Sequence, residues 1–456
     1  MSPTSSLFLL AETREHPMHV GSLELFIPPE GAEAHDLTAM FEAALADVEV
    51  APLFQKRARR SVTTLGQWGW EVDEQFDLEH HVRKNALPRP ARVRELLTLC
   101  SRLHSSLLDR HRPLWELHLI EGLDDGRFAV YFKTHHALVD GVSALRLLGR
   151  MLSDDPDDRS VPPFWAPRPR RTRGAREPHL SDVPAKAVRE MLSIAGDVAG
   201  LAPALAQTVG RGLNERSGSI SFSAPRTMFN VPVTGARRFA AQSWPLKQIR
   251  QIGKAAGATV NDVVLAMCSG ALRAYLIEHD ALPDAPLIAM VPVSLRGADP
   301  GDKGGNAVAV VMCNLGTHLR DPADRLAAVH RSMVEGKQSM EGLSHLQMLA
   351  MSAIGISPLG IYPVLRLDGK ARPPFNLVIS NVPGPRRPMY WNGARLDGLY
   401  PLSVVLDGQA LNITVTSFSD RMAFGLTGCR RSVPHLQHLL GHLDAELIAL
   451  DNAVGA

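Results

Sequence analysis

Phe128-Ala129-Val130-Tyr131-Phe132-Lys133-Thr134-His135-His136-Ala137-Leu138-Val139-Asp140-Gly141 organises the reading of the whole chain. Phe128, Val130 and Phe132 alternate with Ala129, Tyr131 and Lys133, which is the two-residue period of a β-strand, and the alternation runs directly into His135 and His136. Beyond Gly141, Val142, Leu145 and Leu148 recur at helical spacing, so Asp140-Gly141 is expected to form the turn into a helix, with Asp140 suited to its N-cap. A strand, two imidazoles, a tight turn and a helix fix the backbone on both sides of a reactive group. An imidazole with a pKa of about 6.5 is largely neutral at pH 7, so it can take the proton of a hydroxyl as that oxygen attacks a thioester, then return it to the leaving thiolate. No covalent intermediate is required, and the chain has no Gly-x-Ser-x-Gly elbow of the kind that carries acyl-serine hydrolases.

Outward from this stretch, 456 residues are more than one ordinary core uses, so two domains or two similar halves are expected. With 45% hydrophobic and 21% charged residues the chain has the composition of an ordered globular protein. Its net charge of +2 argues against a dedicated nucleic-acid surface. Cys100, Cys268, Cys313 and Cys429 are scattered, without a Cys-x-x-Cys pair or zinc-type His spacing, so buried reduced thiols and no metal are expected. Residues 7–10 are too short an apolar core for a signal peptide, so secretion is not expected and a cytoplasmic protein is the expectation.

Residues 1–160 read as one α/β half, with an extended segment at Leu23-Glu24-Leu25-Phe26-Ile27 and an amphipathic helix over 94–109. Residues 161–225 read as a Pro- and Arg-rich linker followed by a bridging helix. Its Arg168, Arg170, Arg171, Arg173 and Arg176 form an exposed basic run that could meet anionic lipid. Residues 226–456 form a second α/β half. Within it, residues 346–365 carry no charge but include Pro358, Pro363, Gly355 and Gly360, which favours a broken helix in the core or along an apolar tunnel over a membrane span. His80-His81 repeats the dipeptide without an Asp-Gly turn and is assigned to structure or solvent, and Trp115 to the core.

The sequence resembles the bacterial wax ester synthase/diacylglycerol acyltransferase family, relatives of chloramphenicol acetyltransferase and of condensation domains. The resemblance spans nearly the whole chain. Besides residues 135–141 it rests on Pro17-Met18-His19-Val20-Gly21, Pro113-Leu114-Trp115-Glu116, Asn261-Asp262-Val263-Val264, Pro292-Val293-Ser294-Leu295-Arg296, Gly305-Asn306 and Asn376-Leu377-Val378-Ile379-Ser380-Asn381-Val382-Pro383-Gly384-Pro385. It implies two acetyltransferase-like α/β (α+β) lobes with a central tunnel, and transfer of a long-chain acyl group from acyl-CoA to a fatty alcohol or diacylglycerol, with acyl-CoA as substrate and no cofactor. His136 matches the catalytic base and His135 would support it. Asp140 and Gly141 would hold the turn, with Arg296 the expected partner of Asp140. Asn381, between a strand and a Pro-Gly-Pro turn, and Asn261, at a helix start that capping alone would explain, are candidates for the oxyanion or the tunnel wall. Substrates of this kind imply peripheral contact with the inner membrane face or lipid droplets.

Three rivals remain at this level. His135 and Asp140 also fit the His-x-x-x-x-Asp pattern of glycerolipid acyltransferases, which would make His135 the base. A non-catalytic lipid-binding protein of storage granules would keep the tunnel without needing a base. An enzyme of the same superfamily could use another acceptor or a carrier-protein thioester.

Overall fold

The computed structural model describes residues 1, 3–32, 34–45, 49–60, 68–167, 224–294, 308–339 and 372–455. Residues 168–223, which hold most of the linker with its basic run and the bridging helix, the apolar segment 346–365, Arg296 and Gly305-Asn306 therefore lie outside the described residues. The start of the expected linker is not simply exposed but packs into the fold, since Phe164 and Trp165 are buried in the first core.

In chain order the first half contains α1 (Pro3–Ala11), β1 (His19–Ile27), α2 (Ala34–Leu45), β2 (Lys56–Arg60), β3 (Trp68–Val72), α3 (Leu78–His81), β4 (Val82–Ala86), α4 (Val93–Ser105), β5 (Trp115–Glu121), β6 (Phe128–His135) and α5 (Gly141–Leu148). The second contains β7 (Arg237–Pro245), α6 (Leu246–Ala255), α7 (Val260–Glu278), β8 (Ile288–Ser294), β9 (Val308–Asn314), α8 (Pro322–Gln338), β10 (Leu377–Pro383), β11 (Tyr390–Trp391), β12 (Ala394–Leu402), β13 (Leu411–Phe418), β14 (Arg421–Cys429) and α9 (His438–Val454).

These strands build two six-stranded sheets, ordered β11-β12-β1-β6-β5-β4 and β7-β14-β13-β10-β8-β9. The fold is the two-lobed, chloramphenicol-acetyltransferase-like α/β architecture expected from the sequence. β1 sits between β12 and β6, pairing antiparallel with both, and its register sets His19 opposite His135. On one face of this sheet Val20, Phe26, Phe128 and Phe132 pack with α2 and α5; on the other Leu23, Leu25 and Tyr131 pack with α4. In the second lobe one continuous core joins the sheet to α6, α7, α8 and α9. α7 is long and apolar enough to cross a membrane, but it is mostly buried, as befits the central helix of that core. All four cysteines are buried and unpaired.

The lobes are tied by shared elements. The first sheet takes β11 and β12 from the second half of the chain, and Gly425 on β14 admits β12 because a Cβ there would lie 2.0 Å from the Pro401 carbonyl oxygen. α4 covers the outer edge of β7. Ser101 and Ser105, one turn apart, accept hydrogen bonds from the backbone N–H groups of Phe239 and Arg237 at 2.9 and 2.8 Å, which satisfies an edge that would otherwise be bare. The helix expected over 94–109 ends at Ser105, because Lys133 Nζ donates to the Leu103 and Ser106 carbonyls at 3.1 Å each and turns the chain away.

Candidate active site

His135 is the last residue of β6, and its position follows from backbone hydrogen bonds on two sides. Its N–H donates to Leu114 O at 3.0 Å, ahead of β5, and the N–H of His136 donates to Met18 O at 2.8 Å, ahead of β1. The blocks around Met18-His19 and Leu114-Trp115 are thus the struts that fix the two imidazoles. The N–H groups of Leu138 and Val139 return to His135 O at 2.9 and 3.2 Å, closing the turn. Asp140 then caps α5: Oδ1 accepts from Ser143 N at 2.8 Å and Oδ2 from Ser143 Oγ at 3.1 Å.

The two imidazoles differ in what surrounds them. His135 is wholly buried; its Nδ1 accepts from Ala137 N at 3.0 Å, so its ring proton sits on Nε2, which lies 3.4 Å from Glu12 Oε1. Its Nδ1 is taken, and its Nε2 faces the Glu12 carboxylate without a formed hydrogen bond among the described residues, so the ring is enclosed by the fold, as a positioning group would be. His136 is partly exposed, stacks on Phe8 of α1 with ring centroids 4.1 Å apart, and has no hydrogen-bond partner for Nδ1 among the described residues. Burial lowers its pKa from the ordinary value, against smaller opposing effects that include the Asp140 carboxylate, so the ring is neutral at pH 7 and able to accept a proton.

Several charges around this strand end were not singled out by sequence. Glu12, in the segment between α1 and β1, receives hydrogen bonds from Met18 N at 3.3 Å and Arg110 Nε at 2.9 Å. Burial alone would raise its carboxyl, but His135 and Arg110 beside it hold it below the usual range. Lys133, two residues before His135, is fully buried and pairs with Glu116 Oε2 at 3.0 Å; burial of that carboxylate is outweighed by His118, Lys133 and Arg83, which hold it at about 2. His19 Nε2 donates to His104 O at 2.7 Å. Nothing in the one-dimensional pattern links Glu12 to Arg110 and His135, far along the chain; only the rarity of a lysine on the strand leading to the histidines hinted at Lys133.

The remaining candidates separate into those brought together elsewhere and those outside the described residues. Asn261 and Asn381 meet in the second lobe, Asn381 Nδ2 donating to Asn261 Oδ1 at 3.3 Å, in the wall of a cavity of about 660 Å³. Asn261 is not the cap of α7. That role belongs to Thr259, whose Oγ1 accepts from Asp262 N while Asp262 Oδ2 accepts from Thr259 N. His81 is buried, its Nδ1 2.7 Å from Trp115 O, and Trp115 is buried with its indole N–H donating to Phe54 O. Both are core residues, as expected.

Residues 1–264 match the family model of the wax ester synthase/diacylglycerol acyltransferase catalytic domain, and residues 304–451 that of the WS/DGAT C-terminal domain. A protein of Mycobacterium tuberculosis (strain ATCC 25618 / H37Rv) named as a probable diacylglycerol O-acyltransferase, tgs2, is 52% identical over 100% of this chain and 99% of its own. The solved wax ester synthase/diacylglycerol acyltransferase from Marinobacter aquaeolei VT8 is 42% identical, covers 100% of both chains and has a TM-score of 0.79. The starter condensation domain of rhizomide synthetase RzmA is similar in fold alone, at 11% identity and a TM-score of 0.54 over 100% of this chain and 94% of that one.

Proposed function

The chain belongs to the wax ester synthase/diacylglycerol acyltransferase family and is an O-acyltransferase, and on that premise we propose that it moves a long-chain acyl group from acyl-CoA to diacylglycerol or a fatty alcohol with His136 as general base. The observation that carries this reading is the contrast between the two imidazoles: His135 is wholly buried, its Nδ1 taken by the Ala137 N–H and its Nε2 turned to Glu12, whereas His136 is partly exposed and kept neutral by a lowered pKa. The acceptor hydroxyl gives its proton to His136 as its oxygen attacks the thioester carbonyl, and the CoA thiolate leaves with that proton. The acyl group passes directly between substrates, without an acyl-enzyme and without a cofactor. His135, oriented by Glu12 and the Ala137 N–H, holds the turn from which His136 projects.

The enzyme works in the cytoplasm at the inner membrane face or on lipid droplets. This reading is supported by α1, which lays Phe8 against His136 while leaving Leu7 and Leu10 exposed at 63% and 58%. Release of free thiol from palmitoyl-CoA, with and without dipalmitoylglycerol or hexadecanol, tests the reaction. Acceptor-dependent release that disappears in a folded His136→Ala protein is the expected result. Release that survives His136→Ala but is lost in His135→Ala would move the base to His135, and no release with either acceptor would favour a lipid-binding role.

A further inference from the structure

The cavity at the second lobe lies where three strands end. Val293 lies near the end of β8, Asn381 and Pro383 near that of β10, and Ser417 near that of β13; these strands run parallel side by side. The outer ends of parallel strands are where α/β sheets receive ligands. Its volume of about 660 Å³ falls within the range of small-molecule sites.

Three cations line it. Arg250 comes from α6, Lys337 from the last turn of α8, and Arg386 from the loop after β10, so they converge from three separate elements. All three are exposed, none has a side-chain ion pair or hydrogen bond among the described residues, and no acidic side chain among those residues lines the cavity with them. The nearest carboxylate in sequence on α7, Asp262, is engaged by Thr259 N and by His330 Nδ1 at 2.8 Å. The loop that carries Arg386 is fixed in place. Ser419 N donates to Pro385 O at 2.9 Å, and Gly384 lies so close to β13 that a Cβ would come within 2.3 Å of Ser417 O. A rigid cationic cavity with hydroxyl and amide groups in its wall matches a phosphorylated, hydrogen-bonding ligand.

We propose that this cavity binds the phosphate-bearing nucleotide end of acyl-CoA through Arg250, Lys337 and Arg386. The proposal rests on the acyl-CoA reading above and deepens it. Of the substrates in that reading, only the CoA thioester carries phosphates; diacylglycerol and fatty alcohols are uncharged and would gain nothing from three unpaired cations. Exposure suits this role, because a multiply charged head can bind at an open site without being stripped of all its water.

The test uses the full chain and the triple variant Arg250→Gln, Lys337→Gln, Arg386→Gln. Calorimetric binding of CoA is expected to weaken by roughly tenfold for each cation–phosphate pairing removed, and to fall with added salt in the wild type. In turnover, the ratio of kcat/KM for palmitoyl-CoA to that for the palmitoyl thioester of N-acetylcysteamine, which lacks the nucleotide, is expected to drop by at least as much. An unchanged ratio and unchanged CoA affinity in the triple variant overturn the cavity assignment while leaving the acyltransferase reading intact. CoA binding that depends on the three cations in a protein that transfers no acyl group overturns the reaction and keeps the cavity. Equal affinity for inorganic phosphate and CoA, both abolished in the variant, overturns the assignment to a nucleotide.

Discussion

The first sheet ends at His135 and His136, surrounded by buried groups whose charges are mostly matched, whereas the second ends at Val293, Asn381 and Ser417 around an open cavity rimmed by cations that have no ion pair among the described residues. The first lobe buries Glu12, His19, His104, Glu116, His118 and Lys133 around its strands and α4; the second also buries Asp262 and the Arg325–Glu446 pair beside its apolar core, but leaves Arg250, Lys337 and Arg386 exposed at the cavity. The same layered architecture therefore serves two electrostatic ends. A base that must be neutral at pH 7 benefits from dry surroundings that depress its pKa, while a site for several negative charges would lose more by desolvating them than it gained.

The largest effect expected at either strand end is that of His136→Ala, a fall of about 10³-fold in acceptor-dependent thiol release, in line with the loss of a general base. The variant should melt within a few degrees of the wild type. Near-wild-type turnover would place the chemistry elsewhere and dissolve the contrast.

The buried charges of the first lobe should dominate its stability. Lys133→Met leaves Glu116 buried without its main partner and should cost about 3–5 kcal/mol in urea unfolding, while adding Glu116→Leu should recover much of that. A single-variant cost below about 1 kcal/mol would mean that water already screens this pair. Because the folded-state pKa of Glu116 is depressed to about 2, its contribution is present above the ordinary carboxylate range and is lost as pH falls toward 2.

Glu24 works in the opposite sense. It is buried on β1 with Oε2 unpartnered among the described residues, and desolvation raises it to about 8. Its folded state holds a proton that the unfolded chain releases, so stability should decline by roughly 3 kcal/mol as pH rises from 5 toward 8. Glu24→Gln should flatten that slope in denaturant titrations, and an identical slope in both proteins would show that the carboxyl ionises freely. The smallest effect belongs to Arg387→Ala. It removes an exposed pair with Asp154 at 3.2 Å that spans the two halves of the chain, and should change stability by less than about 0.5 kcal/mol.

Much of the first lobe's site was legible because its signals are local. The alternation through Phe132, the turn at Asp140-Gly141 and the helical spacing after it are consequences of neighbours in sequence, and the structure has β6, the Asp140 cap and α5 at those positions. Asn261 reads as a cap in one dimension, yet Thr259, two residues earlier, offers the better oxygen, with Asp262 to reciprocate. The apolar spacing of the helix over 94–109 continues to Leu108, and only the distant Lys133 ends it sooner.

The sequence by itself determined the strand–histidine–turn–helix unit, the two-lobed class and the family, because period, turn chemistry and blocks of residues are written along the chain. Tertiary structure alone decided that β12 crosses from the second half to complete the first sheet, that Glu12 faces His135, and that Arg250, Lys337 and Arg386 converge on one cavity. Each of those arrangements joins residues whose separation along the chain carries no periodic signal. They exist only once burying the apolar faces of both sheets has fixed which strand ends lie side by side.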